Sequence, residues 1–149
     1  MLRRYAQKDC ADVVNVWALA SSVSHDFLSE EFQQQERYNI SNVYLPQAET
    51  WVWEEQGKVV GFIALLGNEI GGLFVNPAFQ RSGIGKILVS KALALKGDVE
   101  VEVFEHNLLG RNFYSGMGFE PLYKKFHEKA GFEVLRLHLR ANKVSEHTD

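Results

Sequence analysis

A single cysteine, Cys10, stands in 149 residues. One thiol excludes an internal disulfide framework and a multi-cysteine metal site. Three prolines and twelve glycines are too few for a fibrous or disordered chain. No apolar run approaches the ~20 residues of a membrane span. The opening Met1-Leu2-Arg3-Arg4-Tyr5-Ala6-Gln7-Lys8 has no apolar stretch behind its charges and does not read as a signal peptide. A basic excess is missing too. The net charge is −3 and the isoelectric point about 6.0, which argues against a nucleic-acid partner. These absences set the expectation of a cytoplasmic protein that meets neither membrane nor nucleic acid. Oligomeric state is not fixed by them, and a homodimer stays open.

Core-forming residues are plentiful. Apolar side chains make up 46% of the chain, with ten Phe and three Trp, enough for a core at this length. The length fits one domain, expected over 1–140, with a polar tail at 141–149.

The order of elements follows from periodicity. Leu2 to Tyr5 reads as a short strand. Asp9 is placed to cap a helix, with Asp12 as its capping-box partner. Val13, Trp17 and Ala20 recur at helical spacing, which predicts a helix to about Ser21. A loop follows from Ser22 to Leu28. Ser29 with Glu30 and Glu31 marks a second helix start, and that helix is expected to stop before Pro46. From Glu49 the period becomes strand-like, with a turn at Glu55-Gln56-Gly57. Lys58 to Leu66 is apolar on both alternating faces (Val59, Ile63, Leu65 against Val60, Phe62, Leu66), the pattern of a strand covered on both sides. Gly67-Asn68 is a tight turn, and Glu69 to Val75 is a strand ended by Asn76-Pro77. Gly83 to about Leu95 is helical, closed by Gly97. Val99, Val101 and Val103 alternate with Glu100 and Glu102. Leu108 to Met117 is a short helix, and two strands run near Leu122 to His127 and Phe132 to Leu139. The order is β-α-α-β-β-β-α-β-α-β-β.

The most informative stretch is Leu73-Phe74-Val75-Asn76-Pro77-Ala78-Phe79-Gln80-Arg81-Ser82-Gly83-Ile84-Gly85-Lys86. A strand ends, and a glycine-bearing loop opens a helix, which turns backbone N–H groups outward at the helix's positive end. A P-loop is excluded, because Ile87 follows Gly85-Lys86 and Gln80 stands where its first glycine belongs. A dinucleotide fingerprint lacks its third glycine, since Leu88 is there. Gln80-Arg81-Ser82-Gly83-Ile84-Gly85 resembles instead the Gln/Arg-x-x-Gly-x-Gly/Ala loop of the GNAT acetyltransferase superfamily. Asn107, the Phe113-Tyr114 pair and Gly118-Phe119 resemble that family's closing motif. His25-Asp26-Phe27 is similar to a segment found in small bacterial acetyltransferases of unassigned substrate.

This resemblance implies an α/β (α+β) fold: a central mixed, mostly antiparallel sheet of about seven strands flanked by about four helices. It implies acetyl-CoA as co-substrate, no metal, and transfer of the acetyl group to a primary amine of a small molecule or protein by direct attack in a ternary complex. By resemblance, Gln80, Arg81, Ser82, Gly83, Ile84, Gly85, Lys86 and Asn107 bind the CoA, and Phe74 and Val75 bracket the thioester carbonyl. Tyr114 both contacts the cofactor and acts as general acid. The alternative is a non-catalytic acyl-CoA-binding sensor or regulatory module of the same fold. A toxin acting on aminoacyl-tRNA is a third reading, against which the acidic charge weighs.

The chemistry sets further demands. The amine must lose a proton before it attacks, and the departing thiolate needs one. Glu69, eleven residues before Gln80, is the first candidate base, with a solvated strand-end carboxylate as the competing reading. Glu100, Glu102 and His25 come behind it. His25 and Phe27 are candidate acceptor contacts, and Trp17, Phe32, Trp51 and Trp53 line an aromatic pocket or belong to the core. Phe113 is expected in the core, with Tyr114 facing the flank. His106, His127 and His138 show no metal-ligand spacing, and Cys10 reads as packing rather than nucleophile.

Overall fold

A computed structural model describes residues 1–141. Seven strands form one sheet in the order β1-β2-β3-β4-β5-β7-β6. The strands are β1 (Leu2–Arg4), β2 (Glu49–Glu55), β3 (Lys58–Leu66), β4 (Glu69–Val75), β5 (Val99–Phe104), β6 (Glu120–His127) and β7 (Phe132–Leu139). Every neighbouring pair is antiparallel except β4 and β5. The helices are α1 (Cys10–Ser24), α2 (Glu30–Asn39), a one-turn α3 (Leu45–Gln47), α4 (Ile84–Lys96) and α5 (Leu108–Met117). This is the mixed, mostly antiparallel sheet with four long helices that the sequence implied.

Two cores form, one on each face of the sheet. Val60, Ile63 and Leu65 pack with Leu88, Val89 and Ala92 of α4 and with Val99 and Val101. Val59, Phe62 and Ala64 pack on the other side with Val13, Val16 and Trp17 of α1. Burial of β3 on both faces matches its apolar run. The partition differs from simple alternation, because the β2–β3 register shifts between Trp53 and Glu54. An extra residue in a strand reverses the side-chain parity beyond it. Gly61 therefore faces α4, where a Cβ would meet Ile84 at 3.1 Å. Leu66, expected to be covered, is exposed.

Several local expectations need correction. Asp9 does not cap α1 through its side chain. Its carboxylate instead accepts from Arg3 Nη1 and Nη2, both at 2.9 Å, and from the Ala6 backbone N–H at 2.8 Å. A buried carboxylate needs such partners, and Arg3 holds its pKa below the ordinary aspartate value. Asp12 is spent on the Val59 N–H, 3.4 Å away. The first helix continues to Ser24, three residues past the expected end at Ser21. The second helix ends at Asn39, before Pro46 as expected, but the chain stays helical beyond it. A π-helical turn at Ile40–Tyr44 carries the chain into α3, and Pro46 stands in that turn's first positions, where a missing N–H is least costly. Ser29 does cap α2, accepting from the Phe32 N–H at 3.1 Å. The predicted tail at 141–149 lies outside the described residues apart from Ala141, whose N–H donates to Asp98 Oδ1 at 3.0 Å.

Candidate active site

The central feature is a gap in the sheet. β4 and β5 pair in register only at Glu69↔Glu100 and Ile70↔Val101. Beyond those residues the strands part. Arg136 of β7 ties the closed end: it donates to Glu69 Oε2 at 2.7 Å and to Glu100 Oε1 at 2.8 Å, with Glu102 Oε2 at 3.5 Å.

Backbone direction in the open part follows from one hydrogen bond. The Asn76 N–H donates to Val60 O on β3. Hydrogen-bonded and non-hydrogen-bonded pairs alternate in an antiparallel ladder. Phe74, opposite Phe62, is therefore bonded to β3, while Val75 and Leu73 turn their N–H and C=O groups into the gap. Val75 O accepts from Gln80 Nε2 at 3.2 Å, which leaves the Val75 N–H facing the opening. Phe74 contributes its ring rather than its amide.

The loop that follows is built to present donors. Asn76 accepts from the Ala78 N–H and starts a single turn at Pro77–Phe79. The Ser82 hydroxyl donates to Phe79 O. Arg81 and Gly83 both take positive φ, 67° and 88°, so the chain turns twice before α4. Among the described residues, none of the backbone N–H groups of residues 81–86 has an acceptor. Those donors sit at the positive end of a thirteen-residue helix. A Cβ on Gly83 would meet nothing within 4 Å, so the space over the loop is open. The exposed Arg81 and Lys86 add positive charge there. The loop suits a pyrophosphate. Gly85 serves differently, because its missing Cβ makes room for the Phe113 ring.

Loop and gap belong to one cavity of about 1050 Å³. Its walls include residues 70–75 of β4, Val101 to Phe104 of β5, residues 79–86, Asn107, Phe113 and Tyr114. On the α1–α2 side it is lined by Trp17, Ser21, His25, Phe32 and Glu36.

Tyr114 is the buried residue of α5, 7% exposed, and Phe113 is only half-buried. This reverses the expected order. The Tyr114 ring stands edge-on to both Phe113 and Phe119. Burial raises the phenol pKa above its ordinary value, so the hydroxyl keeps its proton. Among the described residues no group hydrogen-bonds that hydroxyl, leaving it as a donor to the cavity.

His25 lies between the two parted strands. Its ring is 6.2 Å from that of Phe74 on β4 and 5.4 Å from that of Phe104 on β5. Its Nε2 is 3.2 Å from Asn107 Nδ2. Burial pushes the imidazole pKa down to about 4. Phe27 does not line the cavity; it backs His25 at 6.0 Å and packs on Phe104 and Phe132. Glu69 is also outside the main cavity. It lines an adjoining one of about 240 Å³ that shares Trp17, Glu36, Gly71, Gly72 and Phe74 with it. Glu102 does line the main cavity and is paired with Lys125 at 2.9 Å. Trp51 and Trp53 pack on β2 against the α4-side core. Cys10 lines neither cavity. Sequence reasoning missed Phe104 and Arg136. Neither stands in a motif, and only strand pairing brings them to the gap.

Comparison with known proteins identifies the family. The sequence model of the Acetyltransferase (GNAT) family matches residues 15–119. The chain is 32% identical over 120 residues to the peptidyl-lysine N-acetyltransferase YjaB of Escherichia coli, covering 80% of this chain and 81% of that one. It is 29% identical over 120 residues to the peptidyl-lysine N-acetyltransferase YiaC of the same organism, covering 80% and 82%. The solution structure of apo YjaB superposes with a TM-score of 0.83 at 28% identity over 93% of this chain and 95% of that one. The PaiA N-acetyltransferase of Thermoplasma acidophilum, solved with coenzyme A, shares the fold with a TM-score of 0.77 at 17% identity over 94% and 98%. The chain belongs to the GNAT family of acetyltransferases, and its activity is N-acetyl transfer.

Proposed function

We propose that the protein transfers the acetyl group of acetyl-CoA to the side-chain amine of a protein lysine, by direct attack in a ternary complex in the cytoplasm. The observation that carries this reading is the opening between β4 and β5 beyond Ile70 and Val101, with free N–H groups at residues 81–86 on one flank and Tyr114 beside it. The N–H groups of residues 81–86 hold the pyrophosphate. The Val75 N–H faces the thioester carbonyl and stabilises its developing oxyanion. The amine nitrogen attacks that carbonyl carbon, the C–S bond breaks, and Tyr114 gives its proton to the leaving thiolate. Glu69 takes the proton of the amine through water from the adjoining cavity. Direct attack is favoured because the single thiol, Cys10, lies away from both cavities.

A lysine acceptor is supported by two observations. YjaB and YiaC are both named peptidyl-lysine N-acetyltransferases. In addition, the α1–α2 side of the cavity combines aromatic walls, Trp17 and Phe32, with the carboxylate of Glu36. That combination favours a cationic side chain with an alkyl stem. Thiol release from acetyl-CoA, measured against lysine-containing peptides and free small amines, tests this. Turnover on peptides well above that on small amines is expected. Turnover confined to small amines overturns the acceptor, and no turnover on any amine overturns the reading.

A further inference from the structure

His25 and Asn107 join the two halves of the site through one hydrogen bond. Asn107 is 8% exposed and stands at the start of α5, where its Oδ1 accepts from the Gly110 N–H at 2.9 Å. That bond fixes the side-chain amide, so the group facing His25 Nε2 at 3.2 Å is the Nδ2 amine. An amide nitrogen only donates. His25 Nε2 must therefore accept, and the imidazole proton sits on Nδ1. The backbone of His25 is held as firmly: its N–H donates to Ser21 O at 2.9 Å, and its carbonyl accepts from the Leu28 N–H at 3.1 Å. Among the described residues Nδ1 has no partner.

We propose that His25 is a positioning residue of the acceptor half: Asn107 holds it as the Nδ1–H tautomer, and its ring braces the α1–α2 connection against the open end of the β4–β5 gap. Asn107 acts on both sides at once, capping the helix that carries Tyr114 and fixing the wall that the acceptor meets. With Nε2 engaged and Nδ1 already protonated, His25 takes no proton from the amine. The lysine reading puts the acceptor on the α1–α2 side of the cavity, which His25 also lines; this inference rests on it for its kinetic arm and assigns the residue a state and a role.

Two measurements test it. In the first, the ring nitrogens of His25 are read by ¹⁵N NMR in the free wild-type protein at pH 7. A protonated Nδ1 and a bare Nε2 are expected; the opposite tautomer, or a doubly protonated ring, overturns the proposal. This arm needs no turnover, so it still decides if acetyl transfer is not found. In the second, His25→Ala and His25→Gln are compared with wild type by steady-state kinetics and by calorimetric titration with CoA. His25→Ala is expected to raise the acceptor KM about tenfold, because a wall no longer braced by the ring must be ordered when the acceptor binds, with CoA affinity and the pH–rate profile unchanged. His25→Gln, which offers an amide oxygen to Asn107, should recover most of that loss. An unchanged KM in His25→Ala, or a pH–rate profile altered alike in both variants, overturns it.

Discussion

The Phe113 ring fills the space that a Cβ on Gly85 would occupy, with its Cε1 3.0 Å from that position. Two glycines of one loop motif therefore work in different ways. Gly85 lets α5 close on α4, while Gly83 turns the backbone at φ 88° with open space beyond it. Gly83→Ala is expected to fold with a cost of about 1 kcal/mol for the left-handed turn and to weaken CoA binding. Gly85→Val should lose stability first, by about 1–3 kcal/mol for overpacking. Urea unfolding and calorimetric titration on the same two proteins check the split.

Ligand linkage gives a second expectation. Binding to the native state alone stabilises it by mass action, about 2.7 kcal/mol at one hundred times Kd. Millimolar CoA should raise the melting temperature of wild type, and Gly83→Ala should need more CoA for the same rise. A melting temperature indifferent to CoA contradicts the assignment of the loop.

Glu69 and Arg136 make a third case. Glu69→Gln keeps a partner for the guanidinium through its amide oxygen, so the closed end of the gap should hold and CoA affinity should stay at the wild-type value. Turnover should fall, and most at low pH, where the amine is most protonated. A pH–rate profile identical to wild type assigns proton removal to another group.

Burial of His25 also shapes stability against pH. An unfolded chain binds a proton near the ordinary value of 6.5, whereas the folded protein resists until about 4. Between those values the unfolded state holds more protons, so stability falls as pH falls from about 6.5 to about 4 and is level in this respect above 6.5. The full loss is about 3 kcal/mol. The surroundings of the ring are Phe27, Phe74, Phe104 and Asn107, with the carboxylates of Glu36 and Glu102 on the same cavity. His25→Gln should lose less stability than wild type between pH 7 and pH 5 in urea titrations.

Much of this architecture is legible in the residues themselves. β3 was readable because an apolar run on both faces has few other solutions, and α5 because Asn107 and Gly118 mark its ends. The donor-presenting turn at residues 80–86 was readable because its donors belong to the backbone and the glycines that shape it are visible. What escaped depends on tertiary placement. A register shift beside Gly61 exchanged the faces of β3, which no alternation pattern records. Asp9 was drawn from its cap by Arg3, its neighbour across the β1 end. Within the site, Tyr114 rather than Phe113 is buried, its ring packed edge-on to Phe119 just beyond the end of α5. Phe27 carries a motif position yet stands behind His25. The partnership of His25 with Asn107 spans 82 residues of sequence and has no local signature.

Tyr114 is a buried phenol that holds its proton beside the opening of the sheet. Tyr114→Phe removes one oxygen and leaves the ring packed on Phe113 and Phe119. The decisive measurement is kcat for acetyl transfer in this variant, taken beside its CoA affinity by calorimetry and its stability in urea. General acid assistance contributes on the order of 10²–10⁴ in rate, so kcat should fall by a factor of that size with CoA affinity and stability close to wild type. Wild-type kcat in Tyr114→Phe contradicts a general-acid role for Tyr114.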